Sequence, residues 1–304
     1  MKYIINIVFF GLIASVNLGA QQMPTVSMFE SNQTFYNPGA IGNQEVLSAS
    51  FFYRANWLGF EGAPSTQVFC AHAPLRNPAV ALGVLVEHDA LGGTGYTGVY
   101  FNYAYRLRLG PNKLSFGLKG GINSGSQDYF TLRQNPDPTF AENNRTFFVP
   151  NFGVGILYYG RQYWAGISVP RLFGFKSQPS GKYTINHYFY KYEYFISAGG
   201  MFPVSGSFSV DPSAQFIYSS AYPFRFSVMG MAVYKDAYKA GIGYRSGEAI
   251  ILAIGYQLNR QFSLSYSYDL NIGYIANYSS GSHEINISYK FGYNVNVSNP
   301  RKFD

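Results

Sequence analysis

In the stretch "QFSLSYSYDLN", Gln261 to Asn271, every large residue falls on one parity. Phe262, Leu264, Tyr266, Tyr268 and Leu270 alternate with Gln261, Ser263, Ser265, Ser267 and Asp269. Successive side chains of a β-strand point to opposite faces, so the segment is a strand with one aromatic and aliphatic face and one small polar face. A soluble sandwich would bury the first face, whereas a membrane barrel would turn it to lipid and leave the serines facing a lumen. How the pattern recurs, and how its repeats are joined, decides between the two.

Alternating or aromatic-rich stretches bounded by turn residues recur at 46–57, 66–75, 80–89, 96–109, 113–123, 147–159, 162–170, 191–202, 207–218, 224–235, 238–245, 249–258, 261–270 and 282–291. That is about fourteen strands, an even number of barrel-strand length. Connections after the even-numbered strands are tight, whereas those after the third, fifth, seventh and thirteenth are longer, notably Ser124–Thr146 and Arg171–Tyr190. Outer-membrane barrels sort their loops in this way, with short periplasmic turns and long external loops, and a soluble sandwich has no reason to. Only 12% of residues are charged, against about 25% in an ordinary soluble domain. The chain therefore reads as an all-β, transmembrane, antiparallel up-and-down β-barrel over residues 46–292, closed because lipid cannot satisfy an open backbone edge.

Residues 1–20 read as a signal peptide: Lys2, an apolar run from Ile4 to Ile13, and small residues at Gly19 and Ala20. Residues 21–45 read as a periplasmic lead-in that tucks under or into the barrel, with Asn37-Pro38 as a turn initiator. Residues 293–304 form a polar tail. The single Cys70 cannot form an intramolecular disulfide. On the parity opposite the lipid face lie the candidate lumen charges Arg54, Glu87, Asp89, Arg106 and Arg108, with Lys119, Asp211, Arg225, Lys239, Arg245, Asp269 and Lys290. Glu87 and Asp89 are expected to brace the wall by pairing across to Arg106 and Arg108.

No catalytic, cofactor or metal site emerges. His88 and Asp89 are adjacent in a strand and point to opposite faces, so they form no dyad. His72 faces the lumen opposite Ser48 or Ser50, where a structural hydrogen bond is the expected role. Zinc spacing, a phosphate-cradling loop and a calcium loop are all lacking. The net charge of +7 is spread through the strands rather than gathered in one patch, which argues against nucleic acid.

Several ordered motifs add a resemblance. "FYNPGAIGN" (35–43), "YRANWLGFEGAPST" (53–66), "HAPL" (72–75), "DALGGTG" (89–95), "YAYRLRL" (103–109), "KLSFGLKGG" (113–121), "VPNFGVGILYYGRQYWAGISVPRLF" (149–173) and the C-terminal "SHEINISYKF" together resemble the PorP/SprF family of outer-membrane proteins of the type IX secretion system. Asn56 departs from it, since the family more often has Gln before the Trp. The resemblance implies a non-enzymatic protein of the Gram-negative outer membrane. Its partners would be outer-membrane lipid, the secretion machinery and a secreted or surface-anchored cargo protein such as an adhesin, gliding adhesins included. A porin or solute channel is the alternative. Partner-binding candidates are the aromatic and Arg residues of the two longest loops: Tyr129, Phe130, Arg133 and Phe140 in one, Phe173, Phe175 and Tyr183 in the other.

Overall fold

The computed structural model describes residues 23–128, 144–177, 183–186 and 192–292. The leader, the tail and Tyr129, Phe130, Arg133 and Phe140 lie outside them. The strands are β1 (Ser48–Ala55), β2 (Ser65–Pro74), β3 (Val80–Leu91), β4 (Thr94–Leu109), β5 (Asn112–Asp128), β6 (Asn144–Tyr159), β7 (Tyr163–Val169), β8 (Gly174–Ser177), β9 (Tyr183–Asn186), β10 (Tyr194–Gly200), β11 (Phe202–Ser205), β12 (Phe208–Ser219), β13 (Tyr222–Tyr234), β14 (Tyr238–Arg245), β15 (Ala249–Gln257), β16 (Phe262–Asn271) and β17 (Ser282–Lys290).

All but β8 and β9 belong to one antiparallel sheet, and that sheet is closed. The first strand pairs with the last, from Ser48 opposite Lys290 to Ala55 opposite His283, and β10 pairs with both β7 and β12. β10 and β11 are two pieces of one wall strand interrupted at Met201, both paired with β12. The wall of fifteen segments therefore counts fourteen strands. Closure leaves no edge to face lipid.

Register settles the question raised by Gln261–Asn271. Leu264 and Leu270 are exposed on the outside, whereas Ser267 and Asp269 are wholly buried inside. The same sorting runs round the wall, with Phe101 at 70% and Ile242 at 61% exposure among the outward residues. On a chain whose inner face carries Asn102, Arg106, Lys119 and Asp211 in buried positions, such a surface is a lipid-facing belt.

Two expectations about the loops change. The connection after β3 is a two-residue turn at Gly92-Gly93 rather than a longer loop, because β3 and β4 remain paired out to Leu91 and Thr94. Gly92 takes the left-handed φ of +56° that the turn requires. Arg171–Tyr190 contains the hairpin β8–β9, whose four-residue strands are too short for an alternation to show. With the short turns at 75–79, 110–111 and 160–162 at one end, the connections 56–64 and 272–281 lie at the other. In outer-membrane barrels these are the periplasmic and outer ends respectively.

Candidate functional site

The lumen is filled by the chain's own N-terminal segment. Residues expected as a lead-in run through the barrel and are held at three levels, each by a different kind of interaction. Val26, Phe29, Phe35, Tyr36 and Ile41 are all buried there.

The middle level is a socket of shape. A short helical turn, Gln33–Tyr36, ends at Asn37 because Pro38 cannot continue it, and a 3-10 turn, Pro38–Ala40, follows. The Asn37 side chain caps that turn by accepting from Gly39 N at 2.8 Å and donates to Ile156 O at 3.0 Å. The wall facing this turn is bare. A Cβ on Gly117 of β5 would collide with Pro38 and Gly39, and one on Gly155 of β6 or Gly166 of β7 would collide with Asn37. Ser168 donates to Tyr36 O at 2.9 Å, and the Tyr36 ring stacks on Phe195 of β10 with centroids 4.9 Å apart.

At the short-turn end the segment is tied by charge and backbone. Gly42 N donates to His72 Nδ1 at 3.0 Å, which makes His72 a structural acceptor for the segment. Arg106 donates to Gly42 O at 2.6 Å and pairs with Glu45 at 3.1 Å, and Lys113 reaches Glu45 at 2.6 Å.

The outer level is a buried charge quartet. Arg54 of β1, Arg245 of β14, Asp269 of β16 and Glu284 of β17 converge on Ser27. Ser27 Oγ donates to Asp269 at 2.6 Å and accepts from Arg54 at 2.6 Å and from Arg245 at 2.8 Å. Its backbone N donates to Glu284 at 2.7 Å. Arg54 and Arg245 each pair with Asp269, at 2.7 and 2.8 Å, and Arg54 reaches Glu284 at 3.3 Å. Two cations and two anions balance, as buried charges must. Beyond the quartet, Met23 N donates to Glu193 at 2.9 Å, and Glu193 pairs with Arg225 at 3.2 Å. Burial pushes the Glu193 carboxyl above its usual range, opposed by the Met23 N–H and the Arg225 guanidinium.

Of the candidate lumen charges, Arg54, Glu87 and Arg106 are buried inside, Asp89 is half-buried and bonded to Thr66 at 2.6 Å, and Arg108 is exposed at the short-turn end. The pairing expected across β3 and β4 does not form. Antiparallel register puts Glu87 opposite Gly98 and Val80 opposite Tyr105, so the acids and Arg106 sit at opposite ends of the barrel. Glu87 instead pairs with Arg171 at 2.6 Å. Ser27 and Glu284 were missed as partners of Arg54: Ser27 lies in a segment without periodicity, and Glu284 is 230 residues away. Phe173 packs edge-on against Phe152, with centroids 5.7 Å apart. Phe175 and Tyr183 lie on the backbones of β8 and β9.

The outer rim is laced by backbone hydrogen bonds between neighbouring loops. Leu58 N donates to Gly281 O at 2.8 Å and Ser280 N to Leu58 O at 2.7 Å, tying 56–64 to 272–281. Gly92 N donates to Gly62 O at 3.0 Å and Ile272 N to Glu248 O at 2.8 Å, adding the two flanking turns. Asn56 takes part, its Oδ1 accepting from Arg54 Nε at 2.7 Å. Gly59 and Gly62 have positive φ, as does Trp57 at +48°. Among the described residues no group of His, Cys, Asp and Glu is arranged to hold a metal ion.

A closed wall with an apolar belt outside and a polar, self-filled interior defines an outer-membrane β-barrel protein. The family described as type IX secretion system membrane protein PorP/SprF matches residues 18–289, so the chain belongs to that family. Its place is the Gram-negative outer membrane. No curated protein matches the chain. Among solved structures it is similar to a Pseudomonas aeruginosa FadL homologue (12% identity, TM-score 0.48, covering 90% of this chain and 96% of that one). The P. putida toluene transporter TodX (8%, 0.48, 86% and 94%) and the Acinetobacter baumannii outer membrane protein Omp33 (7%, 0.46, 82% and 100%) are similar in the same way. At these scores the likenesses carry no functional argument.

Proposed function

We propose that this protein is a non-enzymatic component of type IX secretion that supports the export or surface anchoring of cargo carrying a C-terminal signal, adhesins and gliding adhesins among them. Its partners are the secretion machinery and the cargo itself. The observation that carries this reading is the filled lumen: a solute channel needs a continuous aqueous path, whereas an anchoring barrel needs only a rigid wall and an outer surface. The segment from Met23 to Glu45 is bonded to the wall at both ends and seated on glycines between them. Deleting the gene and comparing surface and secreted proteins with the wild type tests it. The expected outcome is loss of particular surface proteins with unchanged uptake of small solutes. Unchanged surface proteins with impaired uptake would establish the channel instead.

A further inference from the structure

Among the described residues, the surface best built for docking is the laced rim over β1, β17 and β16. Leu58, Phe60 and Leu91 are exposed there, and Tyr274 and Tyr278 stand out at 94% and 69% exposure. Nothing about their backbone is loose. Tyr274 opens a short 3-10 turn, Tyr274–Asn277, closed by Ala276 N to Gly273 O at 3.2 Å and Tyr278 N to Ile275 O at 3.0 Å. The flanking Ser280 is bonded to the neighbouring loop and accepts from Tyr268 OH at 2.8 Å. A large aromatic side chain carried on backbone that is already ordered loses less entropy on association than one on a loose loop, which suits it to act as an anchor.

The charge on this rim is one-sided. Loops 56–64, 91–93, 246–248 and 272–281 contain Glu61 and Glu248 and no Lys or Arg, although the whole chain carries +7. Glu61 is exposed and Glu248 half-exposed, reaching the buried Arg245 at 3.7 Å. Anionic lipid phosphates would be repelled by such a rim.

We propose that this rim is the docking surface for the cargo protein, and that it takes a patch of aliphatic side chains edged by Lys or Arg. The proposal rests on the anchoring reading given above. Charge complementarity sets the polarity of the partner, and the tyrosines, Leu58 and Phe60 supply the apolar anchor.

The test complements a deletion strain with rim variants and measures the surface proteins whose amount falls on deletion. Tyr274→Ala with Tyr278→Ala is expected to lower their display by about tenfold, the loss typical of anchor residues. Glu61→Lys is expected to lower it by about threefold, the smaller effect of a rim charge. Barrel amount and heat-modifiability should stay at wild-type levels, since these side chains are outside the packed wall. One of the displayed proteins, purified and titrated against the detergent-solubilised barrel, should show the same tenfold rise in Kd. Full display by the double tyrosine variant in a strain where deletion abolishes display would overturn the rim while leaving the anchoring reading intact. A fall in the amount of inserted barrel would overturn it in favour of a membrane-girdle role. If deletion changes no surface protein, the anchoring reading fails and the rim proposal falls with it.

Discussion

The two flanks of the luminal segment are held by different physics. Toward β5, β6 and β7 the wall meets it with glycines, so that Pro38, Gly39 and Asn37 rest directly on strand backbone. Toward β12, β13, β14, β15 and β16 the fit is looser: a cavity of about 70 Å³ lies between Met28 and Phe29 on the segment and Ser213, Met229, Met231 and Lys239 on the wall. That is room for a few waters. Here the segment is secured by the quartet above the cavity rather than by close packing. A fit of shape is indifferent to ionic conditions, whereas a buried charge cluster fails when one member is removed. One flank is therefore a permanent seat and the other a fastening.

The largest effect should come from the fastening. Arg54→Ala leaves Glu284 without its cation and Asp269 with Arg245 alone, and uncompensated buried charge costs about 3–5 kcal/mol. The urea midpoint for loss of the heat-modifiable folded form should fall accordingly. A midpoint equal to the wild type would mean that the quartet is hydrated, and the contrast between the flanks would collapse. Next comes the seat. Gly155→Val puts side-chain atoms where Asn37 lies, an overpacking cost of about 1–3 kcal/mol. It should also unseat the segment, so that planar bilayers closed with the wild type show conductance with the variant. Conductance equal to the wild type would show that the socket does not hold the segment. The smallest effect belongs to the loose flank. Ser213 Oγ is buried with no hydrogen-bond partner among the described residues, so Ser213→Ala should shift the midpoint by less than about 1 kcal/mol in either direction. A large loss there would reveal a polar contact through the cavity and make the two flanks alike.

Most of the wall was legible from alternation alone, because a period of two fixes both strand identity and the facing of each residue. Parity puts Leu264 and Leu270 on one face and Ser267 and Asp269 on the other, and the sorting of loop lengths then says that the first face is the outer one. Partnership across the wall was not legible. Which residue of β17 meets Arg54 depends on how the sheet closes, and no single strand records that offset. The expected pairing of Glu87 with Arg106 failed for a related reason: antiparallel neighbours run in opposite directions, so nearness in sequence number does not measure nearness in height. The socket was hidden too. Gly117, Gly155 and Gly166 look like weak points in strands until the turn at Asn37-Pro38 is seen resting on them. Ser27 lies in a stretch with neither strand nor helix period, so its bonds to Arg54, Arg245, Asp269 and Glu284 had no sequence signal at all.

The quartet straddles the join between the first and last strands, with Arg54 on β1 directly opposite Glu284 on β17. Ser27 belongs to neither strand, yet it touches both members of that pair. Its Oγ accepts from Arg54 and its backbone N–H donates to Glu284, so the luminal segment bridges the seam from within. The seam thus has two fastenings, the ladder between its strands and the chain it encloses, and a chain lacking residues 23–45 would keep the first and lose the second.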